Sequence, residues 1–192
     1  MKSILILFVI IFISCGAKNN TDNAVNNKYN REYIKSIDGQ FGKMDNQDLN
    51  LFYKALEENL NITIDTSKTI LINYFQKGHN CIVKSNNVEY EKNVLRSYKN
   101  SSDKISINYN AKNILVYTKK SFFTKYADNN SGWILDNGFI KNNIFISDKN
   151  CSGFFIIRTD GKFYKYYGED YFSIINKLLR AKEWDYPDKI FE

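Results

Sequence analysis

Three cysteines and one histidine are the residues of this 192-residue chain with the most chemistry in them: Cys15, Cys81, Cys151 and His79. A thiolate is a nucleophile and a soft metal ligand, and an imidazole two residues before Cys81 could lower that thiol's pKa. His79 with Cys81 and Cys151 could also hold a soft metal such as copper(I). No second metal-ligand motif accompanies them, and zinc-protease and zinc-finger spacings are absent, so His79 reads as a solvent-facing loop histidine and no metal is expected. A serine hydrolase triad would need His79, but no Gly-x-Ser-x-Gly elbow supports it. Neither a P-loop nor Gly-x-Gly-x-x-Gly occurs, so no nucleotide cofactor is expected. Glu57 and Glu58 fall on a helix surface and Glu89 and Glu91 near the start of another, where solvation or pairing with the helix dipole accounts for them. The candidate catalytic residues are therefore Cys81, Cys151 and His79.

Cys15 stands apart from the other two. Lys2 precedes an apolar run from Ile4 to Ile13 that stops at Ser14-Cys15-Gly16, a positive, greasy, then small pattern suited to export. Crossing a bilayer takes about 20 apolar residues, and this run is much shorter. Phe12-Ile13-Ser14-Cys15-Gly16 resembles the lipobox of bacterial lipoproteins, departing from it at Phe12, where leucine is usual. The resemblance implies a signal peptide over residues 1–14 and an acylated Cys15. Diacylglycerol and palmitate-type chains would then hold the protein on the extracytoplasmic side of a cell-envelope membrane, at about 0.8 kcal/mol for each buried methylene. An ordinary cleaved signal with an incidental cysteine is the alternative. Outside the cytoplasm disulfides persist, and Cys81 and Cys151 either pair or stay free for chemistry.

The net charge of +6 suggests an anionic partner. Lysine, however, rises together with Asn, Ile, Tyr and Phe around a single proline, and charges alternate in sign without a block of five. Nucleic acid is not expected as a partner, while anionic glycan or lipid head groups are an unspecific option. An aromatic content of 16% points to one domain with a packed core. The Asn-rich stretch after Cys15 reads as a tether over residues 15–43, its last part (31–43) ambiguous between linker and edge strand, and residues 44–192 read as the domain.

Within the domain, three- and four-residue spacing of Leu49, Phe52, Tyr53, Leu56 and Leu60 predicts a helix over 46–60, capped by Asp45 or Asn46. Ile70 to Phe75 reads as a buried strand, 76–83 as a loop holding Cys81, and 88–98 as a second helix. Strands are expected at 105–109, 114–118 and 144–146, with a short helix from Ser121 to Tyr126. Two strands joined by Asp160-Gly161 form a hairpin, a helix over 170–182 follows, and Trp184 to Glu192 reads as a tail. The aromatic cluster Phe163, Tyr164, Tyr166, Tyr167, Tyr171 and Phe172 is either a binding platform or, for about half its members, core.

The order strand, loop with Cys81, helix, strand, helix, hairpin, helix is similar to the thioredoxin-like fold, and Phe154 to Lys162 looks like its closing hairpin in membrane-tethered thiol-disulfide proteins. The resemblance implies an α/β three-layer sandwich with a mixed central sheet and flanking helices. In that family a Cys-x-x-Cys motif follows the first core strand, whereas Gly78-His79-Asn80-Cys81 stands here, with glycine at the nucleophile position. The family's cis-proline before the hairpin is replaced by Asn150-Cys151-Ser152. The two loops approach each other in that fold, which implies a Cys81–Cys151 pair. The expected function is therefore a non-catalytic binding domain facing an envelope protein or glycan, and the alternative is a thiol-disulfide oxidoreductase using Cys81 with Cys151.

Overall fold

The computed structural model describes residues 37–78, 87–127, 131–169, 171–182 and 184. Six strands form one mixed sheet: β1 (Asp38–Lys43), β2 (Thr69–Phe75), β3 (Ala111–Tyr117), β4 (Trp133–Leu135), β5 (Ser152–Ile157) and β6 (Lys162–Tyr167), in the order β1-β6-β5-β2-β3-β4. Four helices accompany them: α1 (Asn46–Leu60), α2 (Val88–Asn108), α3 (Phe139–Asn143) and α4 (Phe172–Arg180), with a 3-10 turn at Phe122–Lys125. Strands β2 and β3 run parallel, with α2 between them in the chain; β5 lies antiparallel beside β2, and β6 antiparallel beside β5. These four strands with α2 and α4 make the thioredoxin-like core, and β1 and β4 widen the sheet at its edges.

A central strand needs an apolar run because both its faces are covered. From Ile70 to Phe75 every residue of β2 is buried. Ile70, Ile72 and Tyr74 face the α1 side, where Leu49, Tyr53, Leu56 and Leu60 meet them in one cluster. Leu71 shares the opposite face with Phe154, Ile156, Tyr164, Ile175 and Leu178 of β5, β6 and α4. Fully burying one such aliphatic side chain contributes about 1.5–3 kcal/mol. The α1 register follows from its cap: Asp45 Oδ1 accepts from Asp48 N at 2.8 Å, and Asn61 ends the helix at φ 52°.

Residues 38–43, ambiguous from composition, form β1 and pair with β6 from Asp38↔Tyr167 to Lys43↔Lys162, so the folded domain takes them in. The hairpin turn is longer than the Asp-Gly pair predicts. Arg158 N donates to Lys162 O at 2.9 Å and Gly161 N to Arg158 O at 3.0 Å, leaving Thr159, Asp160 and Gly161 as the loop. Gly161 sits at φ 81°, where a side chain is strained.

Three expectations are corrected. The helix begun at Val88 runs on to Asn108 and absorbs the strand predicted at 105–109. Its sheet-facing side carries serine: Ser102 and Ser106 are buried, and Ser102 Oγ joins a network in which Asn73 Nδ2 donates to Ser102 Oγ (2.7 Å) and Asn113 Oδ1 (3.0 Å). Polar residues on a buried face erase the apolar period that would announce a helix. No strand forms at 144–146; that stretch leaves α3, and Ile144 and Phe145 fill the core beside Tyr74. Trp184 is no tail residue: its Nε1 donates to Leu178 O at 2.7 Å, its ring meets Phe41 edge-on, and the Arg158 guanidinium lies 5.6 Å from the ring centroid. Of the aromatic cluster, Tyr164, Tyr166, Tyr167 and Tyr171 are core, as expected for about half its members, while Phe163 and Phe172 are half-buried against it.

Burial of Tyr171 is complete, and its hydroxyl has no hydrogen-bond partner among the described residues. An unsatisfied buried polar group costs about 1–3 kcal/mol, so Tyr171→Phe is expected to raise the unfolding free energy by about 1 kcal/mol in urea titration. An unchanged or lower midpoint would mean the hydroxyl is satisfied. Burial also raises the pKa of the Tyr171 phenol well above 10.0 and that of Tyr164 to about 12. The unfolded chain releases these protons first, so their contribution to stability is intact below about pH 10 and falls as pH climbs from there toward the folded-state values. The urea midpoint should therefore drop between about pH 10 and pH 12, with tyrosinate absorbance at 295 nm rising as the domain unfolds. A midpoint flat over that window would contradict the burial of these phenols.

Candidate functional site

Strand β2 ends at Phe75, and the chain passes into Gln76-Lys77-Gly78 beside the segment that leads into β5. Gln76 ties the two together. Its backbone N–H donates to Cys151 O at 2.8 Å, and its side-chain Nε2 donates to Ser147 O at 2.8 Å and Asn150 O at 2.9 Å. Ser152 Oγ donates to Gly168 O at 3.0 Å, fixing the start of β5 against the end of β6. Gln76, Asn150, Cys151 and Ser152 are all at most 1% exposed, so this junction is packed interior. The extra sheet extension by Gln76 N–H is what carries the β2 end so close to residue 151.

Gly78, at the position where the family's nucleophile would stand, donates its N–H to Cys151 Sγ at 3.3 Å. A Cβ built on Gly78 would lie 2.5 Å from Asn150 C and 2.8 Å from Cys151 N. Both are backbone atoms and cannot swing away, so no side chain fits there without moving a chain segment. The described start of the first loop, Gln76 to Gly78, meets the segment that leads into β5. Cys151 is disulfide-bonded. Cys15, His79 and Cys81 lie outside the described residues. No cis peptide occurs among the described residues, and Asn150-Cys151-Ser152 occupies the expected cis-proline place.

Of the surface carboxylates, Glu57 Oε1 accepts from Ile64 N at 2.8 Å and closes the α1–β2 connection, while Glu58 faces Lys54 at 3.8 Å in solvent. Glu91 departs from the sequence reading. It is 2% exposed, accepts from the Tyr126 hydroxyl at 2.6 Å, and lies 3.0 Å from Lys125 Nζ. Nothing in the spacing of α2 separates it from its exposed neighbour Glu89, because the partners come from the distant 3-10 turn. Among the described residues no group of three His, Cys, Asp or Glu side chains is placed to hold a metal ion.

Two concavities on the described surface are large enough for a ligand. One, of about 490 Å³, is an apolar groove between α1 and α3 lined by Met44, Phe52, Phe139, Ile144, Phe155 and Phe163. The other, of about 540 Å³, lies beyond the carboxyl ends of β2, β3 and β4 and includes Gln76, Lys77 and Gly78 in its wall. Open α/β sheets present ligands at that end of their parallel strands. No protein-family model, curated protein or solved structure matches this chain.

Proposed function

We propose that this chain is a lipoprotein anchored through Cys15 to a bacterial envelope membrane on its extracytoplasmic side. Its thioredoxin-like domain binds an envelope protein or glycan rather than exchanging disulfides, and Cys81 pairs with Cys151 as a structural bond. The observation that supports this reading best is the closed space at Gly78, where the backbone of Asn150 and Cys151 stands where an attacking thiol would need room. Cys151 itself is 1% exposed, which denies it the access that thiol exchange requires. The oxidoreductase reading draws on one fact, that Cys151 is oxidised beside the end of β2.

Turnover separates the two readings. The purified oxidised domain, added to insulin with dithiothreitol, is expected to leave the rate of insulin precipitation at its background value. Catalytic acceleration that disappears in Cys81→Ser would establish the oxidoreductase instead. Anchoring is tested by growing cells on a clickable fatty acid: label should enter the wild-type protein and be absent from Cys15→Ala. Equal label in both would reject acylation at Cys15.

A further inference from the structure

Among the described residues, the wall of the pocket beyond β2, β3 and β4 carries more positive than negative side chains. Its wall holds four lysines, Lys77, Lys119, Lys120 and Lys141, against two carboxylates, Asp136 and Asp148. Both carboxylates are already engaged. Asp136 Oδ1 accepts from Gly138 N (3.1 Å) and Ile140 N (3.0 Å), and its Oδ2 accepts from Lys141 N (2.9 Å), so it serves as the cap of α3. Asp148 pairs with Lys141 Nζ at 2.8 Å. Among the described residues Lys77, Lys119 and Lys120 have no ion pair.

The backbone that bears these three cations is held firmly. Lys77 follows Gln76, which is pinned by three hydrogen bonds. Lys119 and Lys120 sit in a turn closed by Ser121 N donating to Thr118 O at 2.9 Å, with the Thr124 hydroxyl within 3.0 Å of the Thr118, Lys119 and Ser121 carbonyl oxygens. Thr118 N in turn donates to Phe75 O at 2.9 Å, which fixes that turn to the end of β2. Like charges gathered on a fixed frame repel one another, a cost that a multivalent anion removes. The charged donors in the lining are lysines, whose ammonium groups act as point charges and donate to phosphoryl oxygens without requiring a fixed in-plane geometry. At about 540 Å³ the pocket falls in the size range of small-ligand sites.

We propose that this pocket binds a phosphate-bearing ligand, with Lys77, Lys119 and Lys120 clamping two neighbouring phosphoryl groups, as in a diphosphate. The proposal rests on the binding-domain reading and narrows it to a partner that presents phosphate at the carboxyl end of the sheet. Inorganic pyrophosphate is the probe, titrated calorimetrically into the oxidised domain at low salt. One site per domain is expected, weakening as added salt screens the lysines. The triple variant Lys77→Gln, Lys119→Gln, Lys120→Gln should bind at least about ten-fold more weakly. A control with the same charge loss, Lys54→Gln, Lys112→Gln, Lys162→Gln, removes lysines outside the pocket and should stay within about two-fold of wild type. Thermal melts of both variants verify that they fold. Equal weakening in the two variants, or no pyrophosphate binding by the wild type, overturns the proposal. Neither result touches the insulin assay, so failure of the pocket and failure of the non-catalytic reading are told apart.

Discussion

Replacing Cys151 by serine is expected to lower the unfolding free energy by about 4 kcal/mol. The proposed bond to Cys81 closes a loop of 70 residues (151 − 81), which includes α2, β3, β4 and α3. In the chain-entropy model a loop of that length removes freedom from the unfolded chain to about this extent. For a domain of this size the loss is a fall in Tm of about 10 °C. Serine leaves a hydroxyl at a position only 1% exposed, which adds to the cost. Cys81→Ser should match Cys151→Ser, and the double variant should be no worse than either, because one bond is lost in all three. Reductant should bring wild-type protein to the same midpoint. Full additivity of the single variants, or a Cys151→Ser protein as stable as wild type, would show that the two cysteines are not joined.

Gly78→Cys restores the Cys-x-x-Cys spacing on paper and is expected to damage the domain rather than activate it. The new Cβ would meet Asn150 C at 2.5 Å and Asn150 O at 2.8 Å, and relieving that clash means displacing the segment that Gln76 holds with its side-chain amide. Overpacking of this kind costs about 1–3 kcal/mol. The measurement is a urea titration paired with the insulin assay: a lower midpoint and no reductase activity are expected. A variant as stable as wild type that reduces insulin would mean that the site is open and lacks only a nucleophile. Glycine at 78 is thus tied to the approach of the Asn150-Cys151 backbone, a long-range contact that sequence spacing cannot reveal.

The elements legible in the chain are those in which local pattern and tertiary burial agree. The 46–60 helix shows an apolar stripe and a capping aspartate, β2 an unbroken apolar run, and the β5–β6 hairpin two apolar segments around Asp160-Gly161. Where the pattern misled, polar residues had been recruited to the interior. Ser102 and Asn73 are buried in a hydrogen-bonded network with Asn113, and Ser106 is buried as well, which hides the second half of α2. Ile144 and Phe145 look like strand because they are apolar neighbours, yet they plug the end of the α1-side core after a short helix. Trp184 lies beyond the last helix and packs through a hydrogen bond to Leu178 and an edge contact to Phe41 that no local rule contains.

The site was legible in outline, because element order alone brought the β2 end and the start of β5 together. Its detail was not. Gln76 is one polar residue after an apolar strand, and only the structure shows its amide clamping Ser147 and Asn150. The lysine-lined pocket draws on three separate strand ends, residues 76–78, 118–120 and 136–141, which are far apart in the chain. Charge counted along the sequence averages them away among alternating acids and bases.

The central claim, that the domain uses its cysteine pair for stability and not for exchange, is tested most directly by the reduction potential of the native oxidised domain, read with thiol labelling before and after equilibration in redox buffers. A potential below about −300 mV with no native labelling is the predicted result. A potential in the range of about −120 to −270 mV, with one thiol labelled rapidly once reduced, would contradict the account.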